Sequence, residues 1–156
     1  MFASIKKLIT DFSDDVAKAS RFDENDYRLA AAALAIHAAA IDGTVSDAER
    51  EKVRDVVKHR FKLDDADADE LIAEATQAEQ QAIDLYQFTA RLNRALDDNG
   101  RARIIEMMWE IVYADGHVSE FEDNLIWRAA DLLHVPRRER IALRQRVAQR
   151  GSDSGR

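Results

Sequence analysis

Apolar residues recur every three to four positions along most of the chain, the spacing of helices that each bury one face. Phe2, Ile5, Leu8, Ile9, Phe12, Val16 and Ala19 form the first stripe. The second runs to about Ile41, with Asp23 or Asn25 placed to cap its start. Its sequence is mostly alanine, so neighbouring helices can approach its backbone closely, and it is expected at the centre of the packing. Val53, Val56, Val57 and Phe61 mark a third helix, and Leu71, Ile72 and Ala75 a fourth between roughly Asp65 and Gln81. Leu85, Phe88, Leu92 and Leu96 mark a fifth, after which Asp98-Asn99-Gly100 reads as a turn. A helix from about Ala102 to Ala114 carries Ile104, Ile105, Met108, Trp109 and Val112, and the next carries Leu125, Ile126, Ala129, Leu132 and Leu133. Pro136 suits the first turn of a last helix with Ile141, Leu143 and Val147 on its apolar side. No strand-like alternation of any length interrupts the pattern. It predicts an all-α single domain of about eight helices: an N-terminal helix in 1–21, a helical domain over 22–150 and a disordered tail at 151–156.

Composition agrees with this. One Pro and five Gly leave few turns, which disfavours a barrel or sandwich of short strands. There are no cysteines, so disulfides and thiolate zinc sites are excluded, and any metal must be held by oxygen or imidazole. The N-terminus lacks the apolar stretch of a secretory signal and no run is long enough to span a membrane, so a cytoplasmic protein is expected. A net charge of −7 argues against nucleic acid as a partner.

That charge is unevenly spread. Asp64 to Gln80 holds seven acids and no base, whereas Pro136 to Arg150 holds six Arg and one Glu. Two solvated helix faces would account for this. The functional alternative is an acidic face for cations and a basic helix, through Arg137, Arg138 and Arg144, for an acidic protein partner.

The strongest signal is a repeated octapeptide. Asp42-Gly43-Thr44-Val45-Ser46-Asp47-Ala48-Glu49 and Asp115-Gly116-His117-Val118-Ser119-Glu120-Phe121-Glu122 stand 73 residues apart, and their following helices share apolar positions. An internal duplication follows, with repeats at about 28–61 and 101–134 related by a pseudo-twofold. In each copy the Gly suits a helix C-terminus, and Ser-x-x-Glu reads as a capping box for the next helix. Each copy also matches the second half of an EF-hand loop. The first half is missing: loop positions 1 and 3 fall on Ala38 and Ala40, and on Ile111 and Tyr113. Neither copy is a complete site, so a cation would need both. The pooled candidates are Asp42, Glu49, Asp115 and Glu122, with His37 and Glu110 five residues before each Asp. Such a set suits Ca²⁺ or Mg²⁺, and Mn²⁺ or Zn²⁺ if His37 takes part.

These motifs, Ala40-Ile41-Asp42-Gly43-Thr44-Val45-Ser46 with Glu49 and Tyr113-Ala114-Asp115-Gly116-His117-Val118-Ser119 with Glu122, resemble those of the TerB-like proteins, named after a tellurite-resistance protein. Asp84 to Thr89 and Met108-Trp109-Glu110 are similar to an uncharacterised bacterial subgroup of that family. The resemblance implies a pseudo-twofold helical bundle, a metal site built from the four motif acids, and links to stress or chemical-resistance systems at the inner face of the membrane. His37 departs from the acidic character of its counterpart Glu110. No tellurium chemistry is visible in the residues.

Two functions are therefore expected: a divalent-metal-binding interaction module, or a metal-free adaptor that docks a protein through the basic C-terminal helix or an apolar groove. An enzyme ranks behind both. No catalytic nucleophile motif, phosphate loop or Glu-x-x-His pair accompanies the carboxylates.

Overall fold

The computed structural model describes residues 22, 26–41, 43, 46–82, 84–113 and 118–154. Most of its helices begin where a short side chain takes over a free backbone N–H. Helix α1 (Tyr27–Ala40) is opened by Asp26, which accepts the Arg28 N–H at 2.9 Å and pairs with the Arg28 guanidinium at 2.7 Å. Asp26, rather than Asp23 or Asn25, is the cap because it holds the extended backbone immediately before the first helical residue. Ser46 opens α2 (Asp47–Arg60), and Asp64 opens α3 (Asp65–Gln81) by accepting the Asp67 N–H at 2.8 Å. Before α4 (Tyr86–Ala95), Asp84 accepts the Tyr86 N–H at 2.8 Å.

Helix α5 (Asp98–Val112) starts earlier than the sequence suggests. Asp98-Asn99-Gly100 is its first turn, because the Asp97 carboxylate accepts the Gly100 N–H at 2.8 Å. Gly100 also lets Leu96 close in: a Cβ there would lie 3.0 Å from the Leu96 Cβ. Ser119 caps α6 (Glu120–Leu132), and α7 (Arg137–Ser154) follows Pro136 directly. The last helix reaches Ser154, into the stretch expected to be a disordered tail. Seven helices and no strand are present among the described residues; the expected helix over Phe2 to Ala19 lies outside them.

The alanine-rich α1 is the hub, packing against α2, α3, α4, α5 and α6. Ala30 to Ala35, with Leu34 among them, have no solvent exposure at all. Small side chains here let five neighbours share one axis, and bulk comes from the other side: α5 contributes Ile105, Met107, Met108 and Trp109, all buried. Interiors pack at crystal-like density, so an alanine stem needs such partners. Helix α5 in turn supports α2, α6 and α7.

The duplication is visible in the packing. Val53, Val56 and Val57 of α2 are buried, as are their counterparts Ile126, Ala129 and Ala130 of α6. Both helices end alike. Lys62 (φ 55°) and His134 (φ 59°) take the left-handed conformation, and the next N–H, of Leu63 or Val135, bonds back to Lys58 or Ala130 at 3.0 Å. Helix α6 has 13 residues and α2 has 14, so the 73-residue offset becomes 72 at these ends.

Candidate cation site

Each motif couples a helix end to a helix start. Gly43 has φ 141° and donates its N–H to Ala40 O at 3.0 Å, a backbone that a side chain would strain. In the second copy the capping box is complete: Ser119 N–H donates to Glu122 Oε1 at 3.0 Å, and Glu122 N–H donates to the Ser119 hydroxyl at 3.1 Å. The first copy differs. Glu49 N–H donates to the Ser46 hydroxyl at 3.1 Å, but that hydroxyl turns its own proton to Glu49 Oε1 at 3.2 Å. Each of these caps engages Oε1 of its Glu, and a carboxylate has two oxygens.

Glu49 and Glu122, 73 residues apart in sequence, line one small cleft together with Ala39, Lys52 and Ile111. Its volume is about 20 Å³, room for a single water or ion. Packing of α1 on α5 brings these elements together, since Ala39 lies in the last turn of α1 and Ile111 in the last turn of α5. Asp42 and Asp115 lie outside the described residues. Among the described residues, no three His, Asp or Glu side chains cluster as a metal would require.

The two accessory candidates are each paired elsewhere. His37 Nδ1 lies 3.0 Å from Glu79 Oε1, tying α1 to α3. Glu110 accepts from Arg60 Nε at 3.1 Å, tying α5 to α2.

Beside Glu110 stands a group that the sequence reading passed over. Glu106 is buried, 4% exposed, and four arginines converge on it. Arg60 Nη2 lies 2.7 Å from Oε1 and Arg150 Nη2 3.4 Å from the same oxygen; Arg103 Nη1 and Arg146 Nη1 lie 3.0 and 3.2 Å from Oε2. Burial pushes the Glu106 carboxyl up, but the Arg60 hydrogen bond and charge, with Arg103 and Arg150, outweigh it and hold the group below its ordinary value. Burial likewise pulls the Arg60 guanidinium down, and Glu110 and Glu106 more than reverse that. The available signal was one acid inside the apolar run Ile104 to Trp109.

Four arginines of the basic helix pair with acids on other helices. Arg140 pairs with Asp131 at 2.5 Å. Arg144 pairs with Asp123 at 2.8 Å, donates to the Tyr113 hydroxyl at 2.9 Å and lies 4.9 Å from the centre of the Trp109 ring. Arg137 and Arg138 are exposed. Reversing both, Arg137→Glu with Arg138→Glu, should therefore shift urea-unfolding stability by no more than about 0.5 kcal/mol. Arg144→Glu should cost about 2 kcal/mol by the same measurement, because it sets a second acid against Asp123 and strips the face of Trp109.

A family model described as tellurite resistance protein TerB matches residues 28–145, well over half of the chain. The comparisons with curated proteins and with solved structures returned no match. No described helix is long and apolar enough to cross a membrane.

Proposed function

The chain belongs to the TerB family, and from that premise we propose that it is a small interaction module whose two halves together hold one divalent cation. The observation that carries this reading is the meeting of Glu49 and Glu122 at a single cleft sized for one ion. Asp42 and Asp115, seven residues before each Glu, would supply the remaining carboxylates. His37 and Glu110 are engaged with Glu79 and Arg60, so the donor set reduces to oxygen. Oxygen donors favour Ca²⁺, Mg²⁺ or Mn²⁺ over Zn²⁺. A bound ion would neutralise facing carboxylates and fix the two motif turns against each other, making the surface around them depend on the metal. Stress-linked resistance is the setting that the family suggests for such a module.

The thermal melt tests this. At about 100 times its dissociation constant a bound ion adds about 2.7 kcal/mol, a rise of several degrees for a domain of this size. Glu49→Gln with Glu122→Gln should abolish the rise while leaving the fold intact, and so should Asp42→Ala with Asp115→Ala. Melting temperatures unmoved by millimolar Ca²⁺, Mg²⁺, Mn²⁺ and Zn²⁺ would refute the reading.

The second reading is a metal-free adaptor, favoured by one feature of α7. Arg137, Arg138 and the exposed Ile141 fall at i, i+1 and i+4, a cationic patch beside an apolar side chain. An acidic protein segment is its natural partner. A groove of about 300 Å³, lined by Ile36, Val53, Arg50 and Glu79 among others, is the alternative surface.

A further inference from the structure

Four arginines around one carboxylate are more than neutrality requires. Glu106 and Glu110 together carry two negative charges, while Arg60, Arg103, Arg146 and Arg150 carry four positive ones, in a chain whose net charge is −7. Arg60 is the inner member, 19% exposed, and bridges both acids. The outer three are about half exposed, at 53%, 53% and 51%, and among the described residues each has Glu106 as its only ion-pair partner.

We propose that Arg103, Arg146 and Arg150 form an anion-binding site on the α5–α7 face, selective for a doubly charged phosphate group. The local excess of two positive charges is what a phosphate dianion would balance. Geometry supports the assignment as well. Arg103 and Arg146 each use one terminal nitrogen on the same Glu106 oxygen, and Arg150 uses one on the other. Three guanidinium groups are thus gathered around a single carboxylate, each with N–H donors beyond the one it commits there. Guanidinium forks match phosphate oxygens in pairs, which a lysine ammonium cannot do. Glu106, itself fixed by Arg60 from behind, holds the three forks in place before any ligand arrives, which lowers the ordering cost of binding. Helix α7 supplies two of the three, so occupancy would also clamp its C-terminal half to α5. None of this depends on the cation cleft, which is formed by other residues.

The test uses the full chain and two probes, inorganic phosphate and the monoester phosphoserine, against sodium chloride at matched ionic strength. Isothermal titration and phosphorus NMR line width should report binding near millimolar or tighter. Arg146→Gln with Arg150→Gln should weaken it at least about tenfold, a loss of about 1.4 kcal/mol. Unchanged far-ultraviolet circular dichroism would show that the variant is folded. Stronger binding of phosphoserine identifies a phosphorylated ligand, and stronger binding of inorganic phosphate identifies the free ion. Equal response to phosphate and chloride, or full retention of phosphate binding in the folded double variant, overturns the proposal.

Discussion

Trp109→Ala is expected to lower the unfolding free energy by about 4 kcal/mol and the melting temperature by about 10 °C. The side chain has no exposed surface, and its removal empties the largest fully buried volume in the core. It also removes two contacts: the centre of the Tyr113 ring lies 6.0 Å from that of Trp109, and the Arg144 guanidinium stands over the Trp109 ring, 4.9 Å from its centre. Because α7 packs on α5, the loss should be read as loosening of α7 as well as of the core. Trp109→Phe provides the control. The buried indole N–H has no hydrogen-bond partner among the described residues, so replacing it forfeits volume but no bond. The cost should be about 1–2 kcal/mol. Urea denaturation of the two variants checks both values; equal losses would mean that the site's contribution is not its volume.

The second large effect is electrostatic. Glu106→Gln should destabilise by about 3 kcal/mol at neutral pH, since it leaves Arg60 half-satisfied and draws four cations around a neutral amide. The value sits at the low end for a broken buried pair because three of the arginines reach solvent. The pH dependence follows from the sign of the shift. The folded carboxyl titrates below its ordinary value of 4.5, so its contribution is complete above about pH 4.5 and is lost as pH falls through the lower folded value. The native protein should therefore lose stability in that acid window, and Glu106→Gln should lose less across it. Parallel acid titrations followed by circular dichroism would separate them, and identical acid slopes would remove Glu106 from the account.

Much of the fold is legible in the sequence because its causes are local. Helical periodicity locates the seven described helices, Ser46 and Ser119 announce the starts of α2 and α6, and the alanine run of α1 foretells a hub. Asp98-Asn99-Gly100 misleads for a local reason too: the same letters make a turn or a first helical turn, and the Asp97 cap decides between them. What stays hidden is long-range. Arginines on α7 look like a basic surface when read along the chain, yet Arg140, Arg144, Arg146 and Arg150 find acids on other helices. Glu106 looks like an interruption of an apolar stripe, and its meaning comes from Arg60 on α2 and two residues on α7. His37 and Glu110, equivalent by repeat position, part company for the same reason: one faces Glu79 and the other Arg60.

For the candidate site, sequence spacing gave the residue types and the inference that half-loops must be pooled. The shared cleft of Glu49 and Glu122 adds the juxtaposition that spacing alone could not supply. Pooling has a consequence in stoichiometry, and native mass spectrometry of the purified chain with each divalent ion in turn reads it directly. The expected result is one ion per chain, lost in Glu49→Gln alone and equally in Glu122→Gln alone, because each half is indispensable. Two ions per chain, or one ion retained when either half is disabled, would contradict the claim that the halves bind together.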